Sequence, residues 1–291
     1  MNVDETSNFF LIYPLNLEDL GAIELEEKIK LYLPNEEFSY TKVEGGIELK
    51  CTIRTGFLLN HILRSPTRIL LRVSEFKCRD FPKLYQKISK INWSNLLLGI
   101  GPEVEVSSAN SRLFDSRKIE KAVVDGVLEF YRKQPPKKKY QDFAKTKNKE
   151  DLPKLFLRFN DDVCTVSIDC TGKRLHLRDE KILTGHAPIR ENLAYLLLTE
   201  LEKNIANKNI PKNLIDPMCG SGTFLLEAKN RFNITTNRSF AYQSMPLAMN
   251  ETLSMPGLTA QPKRYFDSFL GFDIDQKIVE QATKNLVDIK I

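Results

Sequence analysis

Along the first 177 residues the apolar positions switch repeatedly between the two-residue period of a strand and the three-and-four spacing of a helix. Phe9–Tyr13 reads as a strand, Leu17–Leu33 as a helix, and Phe38–Val43 with Ile47–Ile53 as two strands turned at Gly45-Gly46. A short helix over Phe57–Arg64 is expected to end before Pro66, and Arg68–Phe76 alternates as a further strand. A helix over Phe81–Ile91 and a strand over Glu103–Ser107 follow. The clearest periodicity of this half runs through Ile119, Ala122, Val123, Gly126, Val127, Phe130 and Tyr131, one face of a helix for which Ser116 is the expected cap. Gln134–Lys149, rich in Pro and Lys, reads as a loop or linker. Leu155–Phe159 is predicted as a strand, and Val163–Asp169 with Arg174–Leu177 as a hairpin around Thr171-Gly172-Lys173. Elements interleaved in this way predict small mixed sheets.

Pro188 is expected in the first turn of a helix that runs on through Glu191, Leu193, Leu196, Leu197 and Leu201, where its missing N–H costs nothing. The pattern then changes. Leu214–Ala228 reads as a short buried strand, a tight turn containing Gly220 and Gly222, and a helix beginning near Thr223. Glycines there remove the Cβ atoms that would keep a ligand off the turn, and the helix start turns unpaired N–H groups toward it. Phe269–Asp275 looks like a second strand ending in carboxylates, followed by Ile278, Val279, Ala282 and Leu286 at helical spacing. In doubly wound sheets an acid at the end of the second strand accepts hydrogen bonds from ribose hydroxyls, which makes Asp273 a candidate. The third glycine of the dehydrogenase fingerprint is absent, so spacing alone leaves the ligand open.

Composition narrows the picture only in places. At 291 residues, with 42% hydrophobic and 28% charged residues, the chain exceeds one ordinary core and fits a modular globular protein. Its longest apolar runs fall far short of the roughly 20 residues needed to cross a bilayer. The acidic start, Met1–Glu5, lacks the features of a secretory signal, so a cytoplasmic location is expected. The five cysteines show no paired spacing suited to zinc, so reduced thiols and no metal are expected. The net charge of +5 is uneven: residues 1–40 hold nine acids and two bases, whereas 132–149 hold eight bases and one acid. Arg132, Lys133, Lys137, Lys138 and Lys139 in that run suit phosphate contact, or else a solvated linker.

The wording of the glycine turn decides among the ligands. Asp216-Pro217-Met218-Cys219-Gly220-Ser221-Gly222-Thr223 resembles the first motif of S-adenosylmethionine-dependent RNA methyltransferases. It is most similar to those with an amino-terminal THUMP domain, above all the family that methylates guanine N2 of large-subunit ribosomal RNA. The resemblance extends to Val166–Arg178 and Ala187–Ala194, which look like that family's joins between RNA-binding and catalytic parts. It covers Ser111, Arg112 and Ile91-Asn92-Trp93 more loosely. It implies an α/β protein with an α+β amino-terminal part: a ferredoxin-like domain over 1–65, a THUMP RNA-binding domain over 66–178, and an incomplete Rossmann-like methyltransferase domain over 179–291. It further implies that Asp216, Pro217, Cys219, Gly220, Gly222 and Thr223 line the S-adenosylmethionine site, that Asp273 holds the ribose, and that Pro188 and Glu191 close over the methionine end. Lys173 and Arg174 join the basic run as RNA-binding candidates. The rival readings are a proline turn at Asp216, a helix cap at Asp273 with Asp275, and an exposed pair at Arg190 and Glu191. A nucleophilic Cys219 is disfavoured, since no His or acid near it in sequence suggests activation.

Family members continue to an Asn-Pro-Pro-Tyr-type motif that orients the exocyclic amine, and no such tetrapeptide occurs here. No catalytic residue is therefore assigned. The chain is expected to be a fragment, one half of a split protein completed by a second polypeptide, or a remnant, with a terminal strand prone to association. Transfer of a methyl group to guanine N2 of ribosomal RNA is the leading expectation. The alternatives are guanine N2 of transfer RNA, adenine N6, and a non-catalytic RNA-binding module.

Overall fold

The computed structural model describes residues 2–178, 188–205, 213–255, 257 and 265–286. The amino-terminal part begins β1 (Thr6–Ile12), α1 (Glu18–Tyr32), β2 (Ser39–Val43), β3 (Gly46–Thr52), α2 (Ile53–Ile62) and β4 (Arg68–Lys77). These strands lie in the order β2-β3-β1-β4, each antiparallel to its neighbour, which is the ferredoxin-like arrangement. Helix α2 starts four residues before its predicted position. The Thr52 side chain caps it by accepting from the Thr55 amide at 3.2 Å, a local bond that alternation of apolar residues does not reveal.

Next come α3 (Phe81–Ile88), β5 (Val104–Ala109), α4 (Ser116–Lys133), α5 (Lys138–Thr146), β6 (Leu155–Asn160) and β7 (Val163–Asp169). The small mixed sheets expected from the pattern are one seven-stranded sheet, because β4 pairs with β1 through Arg68–Leu71 and with β7 through Leu70–Lys77. The ten-residue β4 is long enough for both, and its pairing with β7 is irregular between Arg72 and Ser74. Strands β5 and β6 are parallel, as the helical crossover through α4 requires. Ile119, Val123, Val127, Phe130 and Tyr131 of α4 are all buried, as their spacing predicts.

Three local expectations are corrected. The cap of α4 is Asp115, whose carboxylate accepts from the Lys118 amide at 3.2 Å, and Ser116 is the first helical residue. The basic linker contains helix α5, which buries Tyr140 and Ala144 in a small cluster with Leu98. Residues 174–177 are not a strand. The Asp169 carboxylate accepts from the Thr171 amide at 2.9 Å and the Gly172 amide at 3.1 Å, and these bonds bend the chain into turns in place of a hairpin.

The carboxy-terminal part contains α6 (Glu191–Ile205), β8 (Asn213–Asp216), α7 (Thr223–Lys229), α8 (Pro246–Met249), β9 (Ser268–Gly271) and α9 (Gln276–Asn285). Pro188 lies three residues ahead of α6 and not in its first turn. Strands β8 and β9 pair in parallel from Asn213↔Ser268 to Asp216↔Gly271. Their core is small: Cys219, Leu225, Leu226, Ala282 and Leu286, with Leu214 and Phe269 against it.

The stretch between α7 and β9 returns to the amino-terminal part. Phe240, Tyr242, Met245 and Leu247 are buried in the main core, and Tyr242 stacks on Phe57 with ring centroids 4.6 Å apart. His61 of α2 fastens this stretch, with Nδ1 2.7 Å from the Thr235 carbonyl and Nε2 2.7 Å from the Tyr242 hydroxyl. A charged network reinforces the junction. Glu24 accepts from the Arg64 and Ser65 amides at 2.7 and 2.9 Å, and Arg231 pairs with Glu202 at 2.7 Å and Glu27 at 3.0 Å. Buried charges of this kind persist only when paired. No described helix is long and apolar enough to cross a membrane.

Candidate S-adenosylmethionine site

Strand β8 ends at Asp216 and the chain turns at once through Pro217–Gly222 into α7. The turn is tied to the neighbouring strand along its length. The Phe272 amide donates to the Asp216 carbonyl at 2.9 Å, and the Cys219 amide donates to the Phe272 carbonyl at 2.8 Å. The Gly220 amide donates to Asp273 Oδ2 at 3.0 Å. Asp273 and the glycine turn, 53 residues apart in sequence, thus form one constellation, as their strand-end positions predict.

The two glycines do different things. Gly220 has φ +53°, and a Cβ built on it would meet nothing within 4 Å, so the backbone there is open to a ligand. Gly222 has φ +84°, and a Cβ on it would lie 2.3 Å from Leu286 Cδ1. The first glycine leaves room for a ligand; the second lets α9 close onto the turn.

The carboxylates also differ. Asp273 accepts from the Asp275 amide at 3.0 Å through Oδ1, and this bond, with that from Gly220, holds its pKa below the usual carboxylate value. It is therefore an anion at neutral pH, with lone pairs left over for a further donor. Helix α9 is capped by Asp275, which accepts from the Lys277 amide at 2.9 Å, so the rival cap role belongs to Asp275. Burial, with the nearby charge of Asp273, raises the pKa of Asp216, although the Met218 amide donates to its Oδ1 at 3.1 Å. Its Oδ2 is buried with no hydrogen-bond partner among the described residues. A buried acceptor without a donor is costly, and a ligand donor at the turn would relieve that cost.

Cys219 is 5% exposed, and burial pushes its thiol up to about 11, with the charges of Asp216 and Asp273 adding to the effect. Such a thiol is neither a nucleophile nor a ready metal ligand at neutral pH. Among the described residues no group of His, Cys, Asp and Glu could hold a metal ion. Thr223 is the buried first residue of α7. Pro188 precedes α6 and Glu191 opens it, and α6 packs against α7. Between α6 and β8 lies a cavity of about 210 Å³, lined by Leu198, Leu201, Leu214, Asp216 and Phe224 among others.

The RNA-binding candidates lie elsewhere. Lys137, Lys138 and Lys139 open α5, near where β5 and β6 begin, whereas Lys173 and Arg174 are exposed just beyond the end of antiparallel β7. Both groups therefore occur at one end of the seven-stranded sheet. Arg132 and Lys133 pair with Glu129 at 2.7 and 3.1 Å, which reduces the charge they offer.

Residues 178–291 match the family described as RMKL-like, methyltransferase domain. Over 273 residues the chain is 28% identical to the ribosomal RNA large subunit methyltransferase K/L of Vibrio parahaemolyticus, an overlap of 90% of this chain and 36% of that protein. The protein of the same name from Psychromonas ingrahamii is 28% identical over 297 residues, covering 96% of this chain and 36% of its own length. The chain thus spans about a third of the curated relatives it matches. Among solved structures, SMU.472, a methyltransferase by its description and solved with SAH, aligns with a TM-score of 0.68 and 26% identity over 97% of this chain and 72% of its own. A protein from Clostridium difficile 630, described as a possible methylase, shares the fold with a TM-score of 0.69 at 24% identity, over 97% of this chain and 72% of that one. The matched region therefore lies in a mixed α/β molecule that shares its fold with these solved structures.

Sequence reasoning missed two contributors to the site. Leu286 stands against Gly222 and thereby defines one wall of the turn. Glu227, four residues into α7, is held by Arg64 Nε at 3.0 Å and Arg178 Nη1 at 2.5 Å, which fixes the helix behind the turn. Arg178 lay in the stretch that resembles the family's join, but nothing in the sequence pointed to its partner.

Proposed function

We propose that this protein is the RNA-binding and cofactor-binding part of an enzyme that transfers a methyl group from S-adenosylmethionine to an exocyclic amine of RNA, with guanine N2 of large-subunit ribosomal RNA as the target. The observation that carries the reading is the Gly220 amide bound to Asp273 Oδ2 at 3.0 Å, beside an open Gly220 and the unpartnered Oδ2 of Asp216. Those residues fit the cofactor. Asp273 accepts the ribose hydroxyls, Pro217, Cys219, Gly220, Gly222 and Thr223 form the backbone surface beneath it, Asp216 takes a ligand donor, and Pro188 and Glu191 close over the methionine end. Bound there, S-adenosylmethionine supplies an electrophilic methyl on a sulfonium. This chain's contribution is to hold and orient it, and no described residue is assigned the transfer step.

The RNA reading rests on the named activity of the curated relatives and on the basic residues at one end of the sheet. Lys137, Lys138, Lys139, Lys173 and Arg174, with Arg132 and Lys133, contact phosphates from a THUMP unit spanning 66–178, behind a ferredoxin-like unit over 1–65. The protein would act in the cytoplasm, where the ribosomal RNA is.

Calorimetry with S-adenosylmethionine tests the first half, with Gly220→Val and Asp273→Ala as controls. Saturable binding lost in both variants is the expected result. Retention of RNA by a folded chain with no cofactor binding would replace the enzyme reading with an RNA-binding module. Methylation of ribosomal RNA by the protein, followed by nucleoside analysis, tests the second half: N2-methylguanosine is expected, and N6-methyladenosine or a transfer RNA product would overturn the target.

A further inference from the structure

A cavity that shares no residue with the glycine turn opens where β5 and β6 begin. It measures about 270 Å³, and its walls are mostly apolar, with Leu97, Ile100, Leu152 and Pro153 among them. That volume falls just under the range of about 300–1,000 Å³ that suits drug-sized ligands, and so suits a single heterocycle. Two carboxylates, Glu103 and Glu120, share the lining. Lys154 Nζ lies 2.7 Å from Glu103 Oε2, which leaves Oε1 with no bond among the described residues. Glu120, exposed on α4, makes no side-chain bond there either. A strongly basic segment adjoins the cavity. Gly99, in the loop that lines it, has φ +83°, and a Cβ on it would lie 2.1 Å from Pro136 Cγ. Leu98 of the same loop is buried with Tyr140 and Ala144 of α5. Lys137 and Lys138, between these two contacts, are exposed and have no ion pair among the described residues. Around them, residues 132–149 hold eight bases and one acid.

We propose that this cavity takes one unpaired nucleobase of an RNA strand, guanine by preference, while Lys137 and Lys138 hold neighbouring phosphates. The charge decides the occupant. An apolar cavity alone would suit an apolar side chain of a protein, but beside uncompensated lysines it suits a ligand that joins an apolar ring to a polyanion. The carboxylates decide the base. Guanine presents N1–H and N2–H donors side by side, which a carboxylate accepts as a pair, whereas uracil presents one donor between two carbonyls that Glu103 and Glu120 repel. The base held here is not the one to be methylated, since the cavity does not touch the glycine turn; it fixes the register of the strand. That the base belongs to RNA rests on the reading above; the base-sized cavity and its acceptors do not.

The test compares two fluorescent RNA strands across a salt series, one of uridines throughout and one with a single central guanosine. The proteins are the wild type, Glu103→Ala/Glu120→Ala and Lys137→Gln/Lys138→Gln. Glu120→Ala alone, which breaks no ion pair, guards against a folding defect in the double variant. Saturation-transfer NMR with GMP and UMP runs in parallel. The wild type should bind the guanosine strand about ten-fold more tightly, the scale of one well-made pair of hydrogen bonds to a base. The carboxylate variants should lose that preference and keep the salt slope. The lysine variant should weaken both strands alike and keep the preference, with the slope of log affinity against log salt reduced by about 1.4, the value for two single-strand phosphates. Equal binding of the two strands by the wild type, or a preference that survives in the carboxylate variants, overturns the base pocket and leaves the RNA reading standing. Absence of RNA binding, with GMP preferred over UMP by the wild type alone, keeps the pocket and sinks its RNA source. Binding of neither RNA nor GMP overturns the proposal.

Discussion

Glu227 sits between the two halves of the protein, and its removal is the most informative single perturbation. Its carboxylate is 1% exposed and receives Arg64 through Nε at 3.0 Å and Nη2 at 3.2 Å, and Arg178 through Nη1 at 2.5 Å. Arg64 is wholly buried and Arg178 nearly so. Glu227→Gln keeps the volume but removes the anion that the two buried guanidiniums share, and breaking a buried pair in this way costs about 3–5 kcal/mol. For a chain of this size each kcal/mol moves the melting temperature by about 2–4 °C, so a fall of about 6–20 °C is expected by calorimetry. The companion variant carries Glu227→Leu with Arg64→Met and Arg178→Met, replacing all three charges with apolar groups. It should lose less than Glu227→Gln alone, because the penalty comes from keeping buried charges after their shared carboxylate is neutralised, and this variant keeps none of the three. A Glu227→Gln protein within about 1 kcal/mol of wild type would refute the reasoning, since the guanidiniums would then have to be hydrated or otherwise satisfied.

Three further outcomes follow from the site. Gly220→Ala should cost only the roughly 1–2 kcal/mol of a left-handed non-glycine residue, yet lose cofactor affinity, whereas Gly222→Ala, whose Cβ meets Leu286 at 2.3 Å, should lose stability first. Equal stability of the two in urea titration would contradict that division. Cys219, with its thiol pushed up to about 11, should react with iodoacetamide at pH 7.5 far more slowly than an unfolded cysteine, and Cys219→Ser should bind cofactor normally; fast labelling of the native protein would overturn the burial argument. Burial lowers the pKa of both His61 and His176, the latter to about 4, so the unfolded chain takes up protons first as pH falls. Their contribution is complete above about pH 6.5 and, for His176, is lost as pH falls toward 4; chemical denaturation of His176→Gln should show a shallower acid slope than wild type, and an identical slope would count against it.

Local signals in the sequence located nearly every strand and helix of the amino-terminal part, because its core faces are periodic. They also paired Asp273 with the glycine turn, since the ends of adjacent parallel strands must lie side by side. They failed where the deciding bond was a side chain capping backbone. Thr52 starts α2 early, Asp115 displaces Ser116 as the cap of α4, and Asp169 bends residues 170–172 away from a hairpin. Helix α5 was hidden because eight bases in its vicinity suggest a solvated linker, while Tyr140 and Ala144 were too few to reveal a buried face.

Sequence alone determined the α/β class, the glycine turn and its acid, and the family that residues 178–291 match, because each depends on patterns within or next to a short segment. Only the tertiary structure decided that β4 joins two groups of strands into one sheet. Only it returned Phe240 and Tyr242 to the main core and placed Glu24, Lys28, Arg64 and Glu227 in the interior. Read along the chain, a charge is indistinguishable from a surface charge, because burial becomes tolerable only when a partner far away in sequence supplies the compensating bond. Arg64 and Glu227, 163 positions apart, are such a pair.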